Sequence, residues 1–123
     1  MIKYLAIIPA RKNSKRLPNK NITKLKNKIL FDYTLEAAKK SKLLSKIIIT
    51  TDIEKLLKKD TNKVIYIRRP KKLSASHCST ESAVFHALNY LKNNKKIQVK
   101  NVIILQPTSP YRNNKDIDKF LII

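Results

Sequence analysis

The chain has 123 residues, 42% of them hydrophobic, which is one domain's worth of core and no more. Its 28 Lys and Arg against 8 Asp and Glu give a formal charge of +20, a field that draws anionic partners of any kind, from polyphosphates to nucleic acid and anionic lipid. A single cysteine, Cys78, excludes an intramolecular disulfide framework, and the apolar start from Tyr4 to Ala10 is too short for a signal or membrane-spanning segment, so a cytoplasmic protein without membrane attachment is expected.

Taken in chain order, the segment from Tyr4 to Ile8 is a continuous apolar run ended by Pro9, the pattern of a strand buried on both faces. A basic loop to Asn21 follows, then a helical segment that carries Leu30, Leu35, Ala37 and Ala38 and closes in Lys39 and Lys40, cations suited to a helix C-terminus. Lys46 to Thr51 predicts a second buried strand, Glu54 to Lys59 a short helix and Val64 to Ile67 a strand. Glu81 to Leu91 predicts a helix with Ala83, Val84, Ala87, Leu88 and Leu91 on one face, and Val102 to Leu105 a fourth strand. Asp116 to Ile123 looks like the start of a further helix whose apolar last residues suggest that the domain continues beyond it.

Strands alternating with helices imply an α/β protein with a parallel sheet and right-handed crossovers, whose ligands bind beyond the C-terminal ends of the strands. That rule selects four loops: Pro9 to Asn21, Thr50 to Glu54, Arg68 to Thr80 and Gln106 to Asn114. The first gathers Arg11, Lys12, Lys15, Arg16 and Lys20 directly after a buried strand, where free backbone N–H groups add to the cations, an arrangement fit for a polyphosphate. With no glycine in the chain it is not a Walker loop. Ser79 or Thr80 followed by Glu81 reads equally as a helix start, with a side-chain cap and an acid at the positive end of the dipole. Thr51-Asp52 fits an Asx-type turn better than a metal ligand, and Pro107 and Pro110 suit the turn after the fourth strand. The lone His77 and Cys78 make neither a metal site nor a nucleophile pair, and no two of the acids are spaced for Mg²⁺.

The stretch Ile8-Pro9-Ala10-Arg11-x-x-Ser14-Lys15-x-x-Pro18-x-Lys20-Asn21 resembles the opening signature of the acylneuraminate cytidylyltransferases. The likeness recurs in order at Thr51-Asp52, Arg69-Pro70, Ser79-Thr80-Glu81 with His86-Ala87-Leu88, and Leu105-Gln106-Pro107-Thr108-Ser109-Pro110-x-Arg112, so it covers essentially the whole chain. It implies a three-layer Rossmann-like nucleotidyltransferase fold with a mostly parallel sheet, of which residues 1–123 are the N-terminal nucleotide-binding part, incomplete at the C-terminus. It also implies transfer of CMP from CTP to an acidic nine-carbon sugar (sialic, legionaminic or pseudaminic acid), with release of pyrophosphate and with Mg²⁺ as cofactor. Carried over by position, Arg11 and Lys20 are the catalytic cations holding the triphosphate with Lys15, while Asn21, Arg69 and Ser79 or Thr80 meet the cytidine and Gln106 faces the sugar acid.

Departures from the family pattern matter too. Many members have a Gly-Gly pair after the first Arg and a Gly after the Lys, whereas Lys12-Asn13 and Arg16 stand here, so the loop must avoid positive φ or place Asn13 there. Family members are longer, and their metal-binding acids, much of the sugar pocket and much of the dimerisation element lie beyond this segment. The resemblance implies a homodimer for the full-length family and a surface-glycan role. Two other readings stand beside it: a truncated, inactive remnant of such an enzyme, and a basic nucleic-acid-binding domain. The second lacks a recognition-helix signature and an aromatic stacking platform, so no nucleic-acid partner is expected. The enzymatic rival, a 3-deoxy-manno-octulosonate cytidylyltransferase, is disfavoured by the Ser14-Lys15 loop and the Gln106 to Arg112 stretch.

Overall fold

The computed structural model describes residues 2–11, 24–25, 28–70 and 80–106. Strand β1 (Ile2–Ala10) is followed by a two-residue antiparallel pair, β2 (Lys24–Leu25) and β3 (Lys28–Ile29), then helix α1 (Leu30–Lys40) and strand β4 (Lys46–Thr51). A single 3₁₀ turn (Glu54–Leu56) leads to β5 (Val64–Arg68), and α2 (Thr80–Asn94) returns the chain to β6 (Val99–Ile104). The long strands form one four-stranded sheet in the order β5-β4-β1-β6, with every pair parallel.

The sheet is held by its own alternation. Ala6, Ile8, Ala10, Ile47 and Ile49 point to one face and are covered by Phe31, Leu35 and Ala38 of α1, while Leu5, Ile7, Ile48, Ile65 and Ile67 point to the other and meet Ala87 and Leu91 of α2. Both central strands are therefore apolar on both sides, which is why they read as unbroken isoleucine runs. Each such side chain removed fully from water contributes about 1.5–3 kcal/mol. The result is helix, sheet, helix, the three-layer arrangement expected.

The local differences from expectation have identifiable causes. Pro9 does not end β1 but lies within it, opposite Thr50. The ladder between β1 and β6 closes with Leu105 donating to the Ile7 carbonyl at 3.0 Å, and the next donor in that alternation is Pro9, which has no N–H. The helix expected over Glu54 to Lys59 is one 3₁₀ turn, because Leu57 is already extended once Leu56 has reached the core. Helix α2 runs three residues past Leu91 and ends on a left-handed residue: Lys96 stands at φ 56, and the Ile97 N–H beyond it turns back to the Leu91 carbonyl at 3.0 Å. In a chain without glycine, Lys96 takes the place glycine usually fills. The helix expected over Asp116 to Ile123 lies outside the described residues.

The N-terminal ends of the strands are tied by lysines. Lys63 Nζ donates to the carbonyls of Lys39 at 2.8 Å and Ser41 at 2.9 Å, closing the negative end of α1, and Lys46 Nζ donates to the Asn62 carbonyl. Lys95 pairs with Asp60 at 3.7 Å.

Candidate functional site

Because all four strands run parallel, their C-terminal ends emerge side by side, at one end of the sheet. Strand order reverses between β1 and β6: the chain moves from β1 outward to β4 and β5, then crosses back through α2 to lie on the other side of β1. Such a reversal, beyond the carboxyl ends of the strands, is where open α/β sheets leave a crevice for ligands. Arg11 stands immediately after β1 and Gln106 follows Leu105 after β6, so the two residues flank that reversal point. Pro9 ends the ladder between their strands at this place. Gln106 is exposed and Arg11 half-buried, both within reach of solvent-borne ligand.

The next strand ends add cations and a fold of backbone. Thr51, at the end of β4, accepts a hydrogen bond at its Oγ1 from the Ile53 N–H at 2.9 Å, and its carbonyl accepts from the Arg69 N–H at 2.9 Å. The turn after β4 thus carries a bond to the Thr51 hydroxyl, the Ser/Thr counterpart of the Asx-type turn expected there. Arg69 is only 5% exposed, so its guanidinium is held out of water. A buried guanidinium is stable only where polar or anionic groups meet it.

Arg68 has a different duty. It grips Glu54 in a two-pronged ion pair at 2.6 and 2.9 Å, fastening the 3₁₀ turn to the end of β5. The hydrogen bond from Arg68, and then its charge, hold the Glu54 carboxyl below its ordinary range, and the same pair holds Arg68 above its own. Glu54 is thereby committed to structure, and among the described residues no group of three His, Cys, Asp or Glu converges on a metal position. The described residues form no Mg²⁺ cage of their own.

Of the residues expected to form the site, the fold brings Arg11, Arg69, Gln106 and the start of α2 to one end of the sheet. Thr80 is the first residue of α2, which agrees with the helix-start reading of Ser79-Thr80-Glu81. Lys15, Lys20, Asn21 and Ser79 lie outside the described residues. Sequence reasoning missed the part played by Arg68, and a signal for it was present. Only five of the 28 basic residues are arginine, and the three among the described residues, Arg11, Arg68 and Arg69, each lie at or directly after the C-terminal end of a strand. In a chain whose default cation is lysine, that segregation marks where bidentate, planar donors are wanted.

A family model for cytidylyltransferases matches residues 5–121, and the chain belongs to that family. It is 37% identical over 116 residues to the N-acylneuraminate cytidylyltransferase of Escherichia coli O18:K1:H7, covering 94% of this chain and 26% of the relative. It is 35% identical over 121 residues to a pseudaminic acid cytidylyltransferase of Campylobacter jejuni, covering 96% of this chain and 51% of the relative. These names bear out the resemblance to enzymes of acidic nine-carbon sugars. The fold matches the solved CMP:2-keto-3-deoxy-manno-octonic acid synthetase complexed with CTP at a TM-score of 0.72 and 22% identity, over 98% of this chain and 46% of that one. The chain thus spans about half or less of the length of the relatives it matches. Among the described residues no helix is long and apolar enough to cross a membrane.

Proposed function

We propose that this chain provides the CTP-binding half of a cytidylyltransferase acting on an acidic nine-carbon sugar. The observation that carries the reading is the placing of Arg11, Arg69, Gln106 and the N-terminus of α2 at the C-terminal ends of the strands, with Arg11 and Gln106 at the reversal of strand order. This is a cation-bearing end of a parallel sheet, in a chain similar to sialic and pseudaminic acid cytidylyltransferases. CTP lies across the strand ends with its triphosphate toward Arg11 and the basic loop that follows, including Lys15 and Lys20. Its cytidine lies toward Arg69, with Asn21 and the Ser79-Thr80 helix start beside it.

In the reaction the anomeric hydroxyl oxygen of the sugar acid forms a bond to the α-phosphorus while the bond from that phosphorus to the α–β bridging oxygen breaks. Pyrophosphate leaves and the hydroxyl proton passes to solvent or a base. Charge grows on the leaving oxygens, and Arg11 and Lys20 stabilise it without rearranging, which is most of what phosphoryl-type transfer asks of a protein. Gln106, polar and exposed directly after buried Leu105, orients the acceptor. Bound with the triphosphate, Mg²⁺ would supply charge neutralisation there.

The test is calorimetric titration of the purified chain with CTP and then ATP, Mg²⁺ present, at moderate salt. CTP binds with a preference over ATP of about tenfold or more, and Arg11→Ala weakens it by about 1.5–3 kcal/mol as loss of a charge-assisted contact does. Equal affinity for CTP, ATP and DNA, with the steep salt dependence of phosphate contacts, overturns the reading in favour of a nucleic-acid module. Nucleotide binding without pyrophosphate release, when the fold's second half is also supplied, identifies a frame that holds nucleotide but does not turn over.

A further inference from the structure

Charged side chains are divided between the two ends of the sheet by more than composition requires. Among the described residues Arg11, Arg68 and Arg69 lie at the C-terminal ends of strands, and most of the acids share that end: Asp52 and Glu54 after β4, Asp32 in the first turn of α1 and Glu81 in the first turn of α2. The opposite end carries lysine. Lys3 lies at the start of β1 and Lys100 at the start of β6, Lys39 and Lys40 close α1, and Lys92 and Lys96 lie at the end of α2, every one of them exposed. Asp60, the acid that reaches toward this end, is already engaged, by the Tyr66 N–H at 2.8 Å and by Lys95 at 3.7 Å.

These lysines stand on all three layers, α1 on one face, the strands between and α2 on the other, so they make a broad face and not a stripe along one element. Lysine suits a broad target, because its ammonium is a strongly hydrated point charge on a flexible stem, with no planar fork to match a single partner. From this division we infer that the N-terminal end of the sheet is a docking face for the surface of an anionic lipid bilayer. The face lies against the headgroups, and each lysine is drawn by their negative charge within a Debye length of about 8–10 Å. Such binding is peripheral and reversible, and it needs neither a spanning helix nor an inserted apolar segment. It leaves Arg11 and Gln106, at the far ends of their strands, facing water. Nucleic acid is the rival occupant and is served less well. Stacking of bases wants exposed rings, whereas Tyr4 is half-buried with Lys3 Nζ 5.4 Å from its ring centre, and the described arginines, the better phosphate forks, are at the other end. The inference goes beyond the CTP reading and does not depend on it.

The test is co-sedimentation of the full chain with vesicles, without nucleotide. The chain binds vesicles of phosphatidylcholine with about one third phosphatidylglycerol, does not bind phosphatidylcholine alone, and is released as salt rises from about 0.05 to about 0.5 M. Two triple variants, each losing three exposed lysines and each checked for fold by circular dichroism, separate placement from net charge. Lys40→Gln with Lys92→Gln and Lys100→Gln lowers the partition about tenfold or more. Lys55→Gln with Lys58→Gln and Lys59→Gln, in the stretch along the β5 edge between Glu54 on Arg68 and Asp60 on Tyr66, lowers it by less than about threefold. On the native chain the same division is read by acetylation and mass spectrometry: anionic vesicles shield Lys40, Lys92 and Lys100 and leave Lys55 and Lys59 reactive. Equal losses in the two triples, or equal shielding of the two groups, would reduce the effect to net charge and overturn the proposal. Failure to bind anionic vesicles would overturn it too, and retention of the chain by an RNA duplex in their place would make the occupant nucleic acid.

Discussion

The two ends of the sheet carry the same sign of charge and use it differently. At the N-terminal ends of the strands lysines close the structure on itself: Lys63 on the last carbonyls of α1, Lys46 on Asn62, and Lys95 on Asp60. At the C-terminal ends the cations that directly follow the strands, among the described residues, are arginines. Arg68 is used up in fastening Glu54, whereas Arg69 is buried beside Thr51 and Arg11 stands at the point where strand order reverses. Net charge therefore says little here; the type of cation and the end of the strand on which it lies say more. A flexible ammonium suffices to neutralise a helix end, while a planar guanidinium is the better grip on phosphate or base edges.

Substitutions at the two ends should separate these uses. The largest expected effect is at the C-terminal end: Arg69→Met, which keeps the volume of a buried side chain and removes its donors, lowers CTP affinity about tenfold to a hundredfold by calorimetry. A full loss of folded signal in circular dichroism would instead mark Arg69 as part of the fold's polar framework, not of the site. At the other end Lys63→Met removes two bonds to the end of α1 and lowers the free energy of unfolding by about 1 kcal/mol in urea titration, with CTP affinity unchanged. A drop in affinity there would erase the distinction between the ends.

How far this was legible in the sequence follows from the same physics. β1, β4 and β5 were readable because strands buried on both faces leave continuous runs such as Ile47-Ile48-Ile49. The start of β6 was not, because Lys100 and Asn101 are polar, and what keeps Asn101 in the strand is its side-chain bond to the Lys3 carbonyl across the sheet, a contact 98 residues apart in sequence. The pair β2 and β3 is two residues per strand in a lysine-rich stretch and has no period to detect. Helical spacing over Glu54 to Lys59 was overridden by the core's demand for Ile53 and Leu56 alone. At the site, Arg11, Arg69 and Gln106 were recoverable from the family resemblance and from the strand-end rule. The burial of Arg69 and the commitment of Arg68 to Glu54 were not, since both depend on how the turn after β4 folds back on β5.

Two smaller effects refine the picture of the N-terminal end. Lys96→Gly replaces a side chain held at φ 56 with the residue suited to that geometry. It raises the unfolding free energy by about 0.5–1 kcal/mol, the relief of left-handed strain less the added freedom of the unfolded chain. A loss of stability would show that the Lys96 side chain makes a contact worth more than the strain.

The smallest effect is invisible at neutral pH and belongs to Tyr66, whose N–H is bound by Asp60 at the covered edge of the sheet. Burial, and then the negative charges of Asp60 and Asp32, push its phenol above the ordinary value of 10.0. The folded state therefore holds its proton more tightly than the unfolded chain. Its contribution to stability is fully present below the unfolded phenol's pKa and declines as pH rises from there through the folded pKa. Many lysines titrate in the same alkaline window, so the measurement is a difference: urea unfolding of the native chain and of Tyr66→Phe at a series of pH values from 9 upward. The native chain loses stability faster than the variant above pH 10, and adding Asp60→Asn to the native chain shrinks the gap. Parallel curves would mean that Tyr66 feels neither carboxylate in solution, and that the Asp60 loop does not lie closed over the β5 edge.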